Sequence, residues 1–286
     1  MNIMVTGASG FVGYDLIKLL LKYNHNIYAI YRSKNTLTKK LLHKNLMWKK
    51  MDLKDQIYFK KKIDIIIHCA VTHSFSKKKS VTDYINSNII SLNNLVDLAR
   101  RLKTKMIINF STVSIYGQIN TKRLDEKYTP VKQDLLGLTK HIAENIFSIQ
   151  SINFINLRLP GIMCSRRNNS RPWLQTLINK IKNNKNVYVH NTNNYFNNVI
   201  DTKEIVRLIL RIIKKRRKIR GTFNLSASKP QKLKKIIHII KSKYQSKSKV
   251  INLEKGQKSF VISINRIKEK LNFYPTSTEN IILRNL

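Results

Sequence analysis

At 286 residues, the chain fits one large domain or one domain with a smaller lobe, ample length for a buried core. Apolar residues make up 42% of it and are spread along its whole length. That excludes a disordered chain, and no apolar run approaches the roughly 18–20 residues of a membrane span. The net charge of +40 would attract polyanions, yet 40 Lys, 40 Ile and 31 Asn are what AT-rich codons favour, so codon composition accounts for most of it.

The excess charge is diffuse, with 25 basic and 9 acidic residues over 1–143 and 30 and 6 over 144–286, and no recognition motif accompanies it. We therefore expect no specific nucleic acid as a partner. Gly7 interrupts the first apolar run before a signal-peptide core could develop, and Cys69 and Cys164 have neither disulfide nor metal spacing. A cytoplasmic protein with no transmembrane segment and no metal is the expectation.

In chain order, short β-rich apolar runs alternate with amphipathic helical stretches, the signature of an α/β fold. Asn2–Thr6 reads as the first strand, and Gly10–Tyr23 as a helix carrying Val12, Leu16, Leu19 and Leu20 on one stripe. Strands are expected at Ile27–Tyr31, Leu46–Lys49 and Asp64–Cys69, then a helix over Tyr84–Leu102. Met106–Ser111 gives a fifth strand, Leu135–Ile149 a helix and Phe154–Leu159 a sixth strand. Their near-continuous apolar character suits parallel strands covered on both faces. Beyond Pro160, Asn/Lys-rich stretches separate shorter elements, as in a smaller, loop-rich lobe. Glu204–Arg217 looks like a basic membrane-surface helix, but a helix packing its Ile/Leu face on protein, with basic residues at its carboxyl end, explains it better.

The first chemical motif is Thr6-Gly7-Ala8-Ser9-Gly10-Phe11-Val12-Gly13, with three of the eight glycines gathered in seven residues between a strand and a helix. Such a loop admits close backbone approach to a pyrophosphate, and the following helix start offers N–H groups and a favourable dipole. The second strand ends Tyr31-Arg32-Ser33-Lys34, with no acid to hold a ribose 2′-hydroxyl, so Arg32 and Ser33 read as a cradle for a 2′-phosphate. The expected cofactor is NADP in preference to NAD. Asp52, beside Leu53, would accept from the adenine amino group or cap a following helix. His68 reads as a strand-end residue beside the cofactor.

Thr6–Gly13, Asp52-Leu53, Asp64–Ala70, Phe110–Gly117, Lys140 with Glu144, and Leu157-Arg158-Leu159-Pro160 together resemble the successive motifs of extended short-chain dehydrogenase/reductases, the NAD-dependent epimerase/dehydratase family. The resemblance implies a doubly wound parallel (Rossmann) sheet over 1–160. It also implies a mainly substrate-binding lobe over 161–286, with segments near 198–215 and 221–226 returning to the Rossmann domain. Cofactor contacts fall on Gly7, Ser9, Gly10, Phe11, Val12, Gly13, Arg32, Ser33, Asp52, Leu53, Cys69, Ala70, Lys140 and Pro160. Substrate contacts to a nucleotide-linked sugar fall on Arg166, Arg167 and Arg171, and a homodimer is expected.

Of the family's Ser/Thr–Tyr–Lys trio, Thr112 and Lys140 match. The tyrosine does not, because Leu136 stands four residues before Lys140, one helical turn away on the same face. Leucine cannot move a proton. Tyr128-Thr129-Pro130-Val131-Lys132 repeats the spacing, but Pro130 argues against a helix there. Tyr116, expected near the mouth of the site, is a possible substitute. Three readings follow: an enzyme on nucleotide sugars with a rerouted proton, a cofactor-binding pseudoenzyme, or a basic nucleic-acid-binding protein.

Overall fold

The computed structural model describes residues 1–33, 40–72, 80–164, 172–215, 219–253 and 259–286. They form two compact units, neither contiguous in sequence. The first comprises Met1–Gln118, Thr129–Arg158 and Ile209–Phe223, and the second Ile119–Tyr128, Leu159–Leu208 and Asn224–Leu286.

The first unit is built on a seven-stranded sheet. Its strands are β1 (Asn2–Thr6), β2 (Asn26–Tyr31), β3 (Leu46–Lys50), β4 (Ile65–His68), β5 (Met106–Thr112), β7 (Phe154–Leu159) and β12 (Gly221–Asn224), in the order β12-β7-β5-β4-β1-β2-β3. β1 pairs in parallel with both β2 and β4, β2 with β3, and β4 with β5. Order reverses at β1, so the crevice of a doubly wound sheet lies at the carboxyl ends of β1 and β4. The inner strands are covered on both faces, as their mostly apolar sequences require: every residue of β4 is buried.

Helix α1 (Phe11–Leu20) is shorter than the periodicity suggests and closes in a turn of 3₁₀ helix over Leu21–Tyr23, ended by Asn24 in the left-handed region. The next helix begins earlier than expected. Ser80 and Asp83 form a reciprocal capping box that starts α2 (Val81–Ile85), and the chain then widens to a π-turn over Asn86–Ile90 before α3 (Ser91–Arg101). Leu92, Leu95, Val96 and Ala99 of α3 join Met4, Ile66, Ile107 and Phe147 in one buried core. Helix α4 (Leu135–Ser148) is capped by Asp134, whose Oδ1 accepts from the Gly137 N–H at 2.7 Å. No helix follows Asp52: its side chain instead closes a tight turn, accepting from the Lys54 N–H at 3.2 Å.

The second unit contains four two-stranded pairings. β8 (Gly161–Met163) pairs with β11 (Val199–Asp201), β9 (Val187–His190) with β14 (Val250–Leu253), β10 (Tyr195–Phe196) with β13 (Gln231–Lys232), and β6 (Arg123–Leu124) with β15 (Val261–Ile262). Its helices are α5 (Pro172–Lys182), α7 (Leu233–Lys243), α8 (Asn265–Leu271) and α9 (Thr278–Leu283). α6 (Thr202–Lys215) crosses from this unit into the first, with Ile205, Val206, Leu208, Ile209 and Ile212 buried, as a helix packing its apolar stripe on protein should be. Buried Asp201 and Glu204 are neutralised by Arg284, which reaches Asp201 Oδ1 at 2.7 Å and Glu204 Oε1 at 3.1 Å. Among the described residues, no helix is long and apolar enough to cross a membrane.

Candidate functional site

The glycine loop leaves β1 at its carboxyl end. Gly7 has φ +65°, and a Cβ there would stand 2.7 Å from the Ala70 nitrogen. A Cβ on Gly13 would meet the Gly7 carbonyl oxygen at 2.4 Å, so helix and loop touch backbone to backbone. The Ala8 N–H donates to the Ile30 carbonyl at 3.0 Å, fixing the loop against β2. Gly10, the N-cap of α1, supplies no side-chain cap, which leaves the helix start suited to an anion. Ser9, Phe11 and Val12 complete this turn. A pyrophosphate cradle of this kind fits a dinucleotide.

The other expected cofactor residues sit at neighbouring strand ends. Arg32 and Ser33 are exposed, directly after β2. Asp52 and the buried Leu53 follow β3, and Cys69 and Ala70 follow β4. Pro160 follows β7 but belongs to the second unit. Arg166, Arg167 and Arg171 lie outside the described residues.

Thr112 ends β5, next in the sheet to β4. Its Oγ1 accepts from the Ser114 N–H at 3.1 Å and donates to Ser114 Oγ at 3.2 Å. Gly137 lets α4 approach this turn: a Cβ at 137 would lie 2.3 Å from the Ser114 carbonyl oxygen. Leu136 and Lys140, one turn apart on α4, are both 3% exposed. Burial pulls the Lys140 ammonium down to about 8, while Cys69 and Glu144 pull back. The same ammonium acts on Cys69 and His68, which locates it at the end of β4. Burial pushes the Cys69 thiol up and His68 down to about 3, so His68 is neutral and serves no acid–base role near neutral pH.

Tyr116 is not at a mouth. It is completely buried, with the Arg158 guanidinium 4.9 Å from its ring centroid and hydrogen-bonded to it. Arg158 in turn donates to Glu144 Oε2 at 2.8 Å, and Ser111 Oγ donates to Glu144 Oε1 at 2.5 Å. Burial opposes the Arg158 charge, but Glu144 overcomes it and holds the guanidinium pKa above its ordinary value. Tyr116 is thereby committed to a buried cluster with Arg158 and Glu144 rather than to the mouth of a site.

Asn88 escaped the sequence reading. It lies in the π-turn, 1% exposed, where its Oδ1 accepts from the Thr72 N–H at 3.1 Å and its Nδ2 donates to Thr139 Oγ1 at 3.0 Å. One side chain thus ties the exit of β4 to the turn of α4 that carries Lys140. The signal was available: Asn88 stands four residues after Tyr84 and four before Leu92, both buried, on one helical stripe. Among the described residues no His/Cys/Asp/Glu cluster could hold a metal ion.

A reversed-order parallel sheet with a glycine loop at the reversal and a Thr/Lys pair beside it defines a dinucleotide-binding fold of the Rossmann type. The family model for the NAD dependent epimerase/dehydratase family matches residues 3–226, and the chain belongs to that family. Among curated relatives, dTDP-D-glucose 4,6-dehydratase of Dictyostelium discoideum is 26% identical over 272 residues, covering 83% of this chain and 62% of that protein. CDP-abequose synthase of Salmonella muenchen is 25% identical, covering 87% and 83%. The chain therefore spans less than two thirds of the Dictyostelium relative. UDP-glucose 4-epimerase of Thermotoga maritima, solved with UDP-glucose, shares the fold at a TM-score of 0.83 and 16% identity, covering 100% of this chain and 97% of that one. The Bordetella bronchiseptica enzyme WbmG, solved with NAD, shares it at 0.84 and 17%, covering 100% and 92%.

Proposed function

We propose that the protein is an NAD(P)-dependent oxidoreductase, epimerase or dehydratase acting on a nucleotide-linked sugar, with Leu136 in place of the catalytic tyrosine. The observation that carries this reading is the placement of the Gly7–Gly13 cradle and Thr112 at the carboxyl ends of β1 and β5 of one sheet, with Lys140 of α4 acting on His68 and Cys69 at the end of β4 between them. The named substrates of the relatives support the substrate class. When bound, a nicotinamide dinucleotide supplies a hydride acceptor or donor. Gly7, Ser9, Gly10, Phe11, Val12 and Gly13 would hold its pyrophosphate, and Asp52, Leu53, Cys69, Ala70 and Pro160 its remaining groups. Arg166, Arg167 and Arg171 remain the proposed contacts for the substrate diphosphate. Thr112 Oγ1 would bond the substrate oxygen, and Lys140 the nicotinamide ribose.

With Leu136 inert and Tyr116 bound to Arg158, two groups among the described residues could carry a substrate proton: the Thr112–Ser114 hydroxyl pair, and Lys140, whose pKa of about 8 suits proton exchange near neutrality. The second reading, a cofactor-binding pseudoenzyme, is favoured by the burial of Leu136 in that very position. The activity of Leu136→Tyr against wild type separates them.

Arg32 and Ser33, exposed beyond β2 with no acid beside them, support NADP as the preferred cofactor. Calorimetric titration should then give NADPH at least about a tenfold tighter Kd than NADH, the low end of a charge-assisted hydrogen bond. Equal or reversed affinities would remove the preference, and no binding of either would remove the dinucleotide reading.

The homodimer also remains a proposal. Adjacent helices α2 and α4 expose Val81, Ile85, Leu135, Leu138 and Ile142, an apolar set that a second copy would cover. Sedimentation equilibrium should show a dimer that Leu138→Lys with Ile142→Lys converts to monomer. A wild-type monomer at micromolar concentration would exclude it.

A further inference from the structure

Five adjacent strands of the central sheet each place one polar side chain in a single row. They are Thr6 on β1, His68 on β4, Asn109 on β5, Asn156 on β7 and Thr222 on β12. Thr6, His68, Asn109 and Asn156 have no exposed surface. Polar groups buried so completely are costly unless their bonds are made. Most are made: Thr6 Oγ1 lies 2.8 Å from His68 Nδ1, Asn109 Nδ2 donates to Asn156 Oδ1 at 2.9 Å, and Asn156 Nδ2 donates to Thr222 Oγ1 at 3.2 Å.

The directions of these bonds agree. Thr6 Oγ1 accepts from the Ala70 N–H at 3.4 Å, and with that oxygen so engaged its own proton can be given to His68 Nδ1. The imidazole proton then sits on Nε2. His68 and Asn109 are register partners on β4 and β5, and His68 Nε2 and Asn109 Oδ1 are the two atoms of the row left without partners, one a donor and the other an acceptor. In this arrangement every side-chain donor of the row points from the glycine loop toward the edge of the sheet. Such aligned bonds polarise one another.

At its start the row meets the cofactor cradle. Thr6 precedes Gly7, and Ala70, which donates to Thr6, is the residue against which Gly7 packs backbone to backbone. We propose that His68 is a positioning residue for dinucleotide binding: by taking the Thr6 proton it turns the Thr6 oxygen to Ala70 and locks together the two backbone walls of the cradle. This rests on the cofactor-binding reading above. A histidine that merely fills the core would stabilise the fold without any specific link to Ala70.

The test combines dinucleotide titration with amide hydrogen exchange of the cofactor-free full chain, for His68→Phe, His68→Asn, Thr6→Val and the Thr6→Val/His68→Phe pair. His68→Asn keeps an acceptor near the Nδ1 position and covers the case in which His68→Phe fails to fold. The expected result has Ala70 exchanging at least about tenfold faster in Thr6→Val and His68→Phe, while amides of α3 keep their rates. Dinucleotide Kd should rise at least about tenfold in each, the double variant should be no worse than either single one, and His68→Asn should stay within about threefold of wild type. Additive losses, unchanged Ala70 exchange, or a His68→Asn variant as impaired as Thr6→Val would each overturn the proposal. If wild type binds no dinucleotide, the cofactor reading fails by that fact, and Ala70 exchange alone decides whether His68 positions the loop.

Discussion

A chain whose catalysis is impaired by this one replacement should gain at least about a hundredfold in activity on nucleotide sugars from Leu136→Tyr, the low end of what a positioned general acid or base contributes. The hydroxyl would stand one helical turn from Lys140 on α4, in a segment whose seating is already fixed by the Asp134 cap and by Gly137 on the Ser114 carbonyl. Lys140 charge would draw the phenol down from about 10 toward working pH. Turnover with a panel of nucleotide sugars, followed through the nicotinamide absorbance or product chromatography, provides the measurement. A rerouted proton predicts the opposite pattern: wild type already turns over, Thr112→Ala abolishes it, and the added tyrosine gives nothing. If wild type and variant are both inert while dinucleotide binding is measured, the pseudoenzyme reading stands in place of both.

Arg158→Met should destabilise the protein by about 3–5 kcal/mol, because it strands Glu144 as an uncompensated charge that is only 5% exposed. Tyr116 would lose a partner in the same step, while Ser111 would keep its bond to Glu144. Urea unfolding monitored by circular dichroism reads the loss directly. Pairing it with Glu144→Leu should recover most of the stability, since a buried ion pair replaced by apolar groups of similar size is often neutral. A single variant within about 1 kcal/mol of wild type would show that this cluster carries little of the fold.

The six strands expected from apolar runs lie where the structure has them, within one or two residues: inner parallel strands such as β4 need an apolar side chain at nearly every position, and β3, at the edge, is short enough for Leu46-Met47-Trp48 to mark it. The glycine loop was equally legible, since close backbone approach admits no other residue. Legibility failed where tertiary partners decide. Tyr116 followed by Gly117 looks like an exposed strand-end pair, yet Arg158, forty-two residues later, draws it inside. The π-turn at Asn86–Ile90 leaves no trace in an otherwise regular helical stripe, and its purpose, carrying Asn88 between Thr72 and Thr139, depends on two residues distant in sequence. The turn at Asp52 was misjudged for a local reason: a carboxylate that can cap a helix can as readily cap a turn, and the chain beyond it has no amphipathic stripe to decide otherwise.

The interleaving of the two units has a consequence for how the chain can be made and cut. The outermost strand of the large sheet, β12, is synthesised some sixty residues after its neighbour β7, once about half of the second unit has already emerged. Until then, β7 is an edge, and all six of its residues are ones the finished protein buries. An open, apolar edge of that kind recruits other strands. A fragment ending near residue 160 would keep every element of the dinucleotide cradle and still be a poor reagent, sticky along one side, whereas a fragment retaining 209–224 would close it.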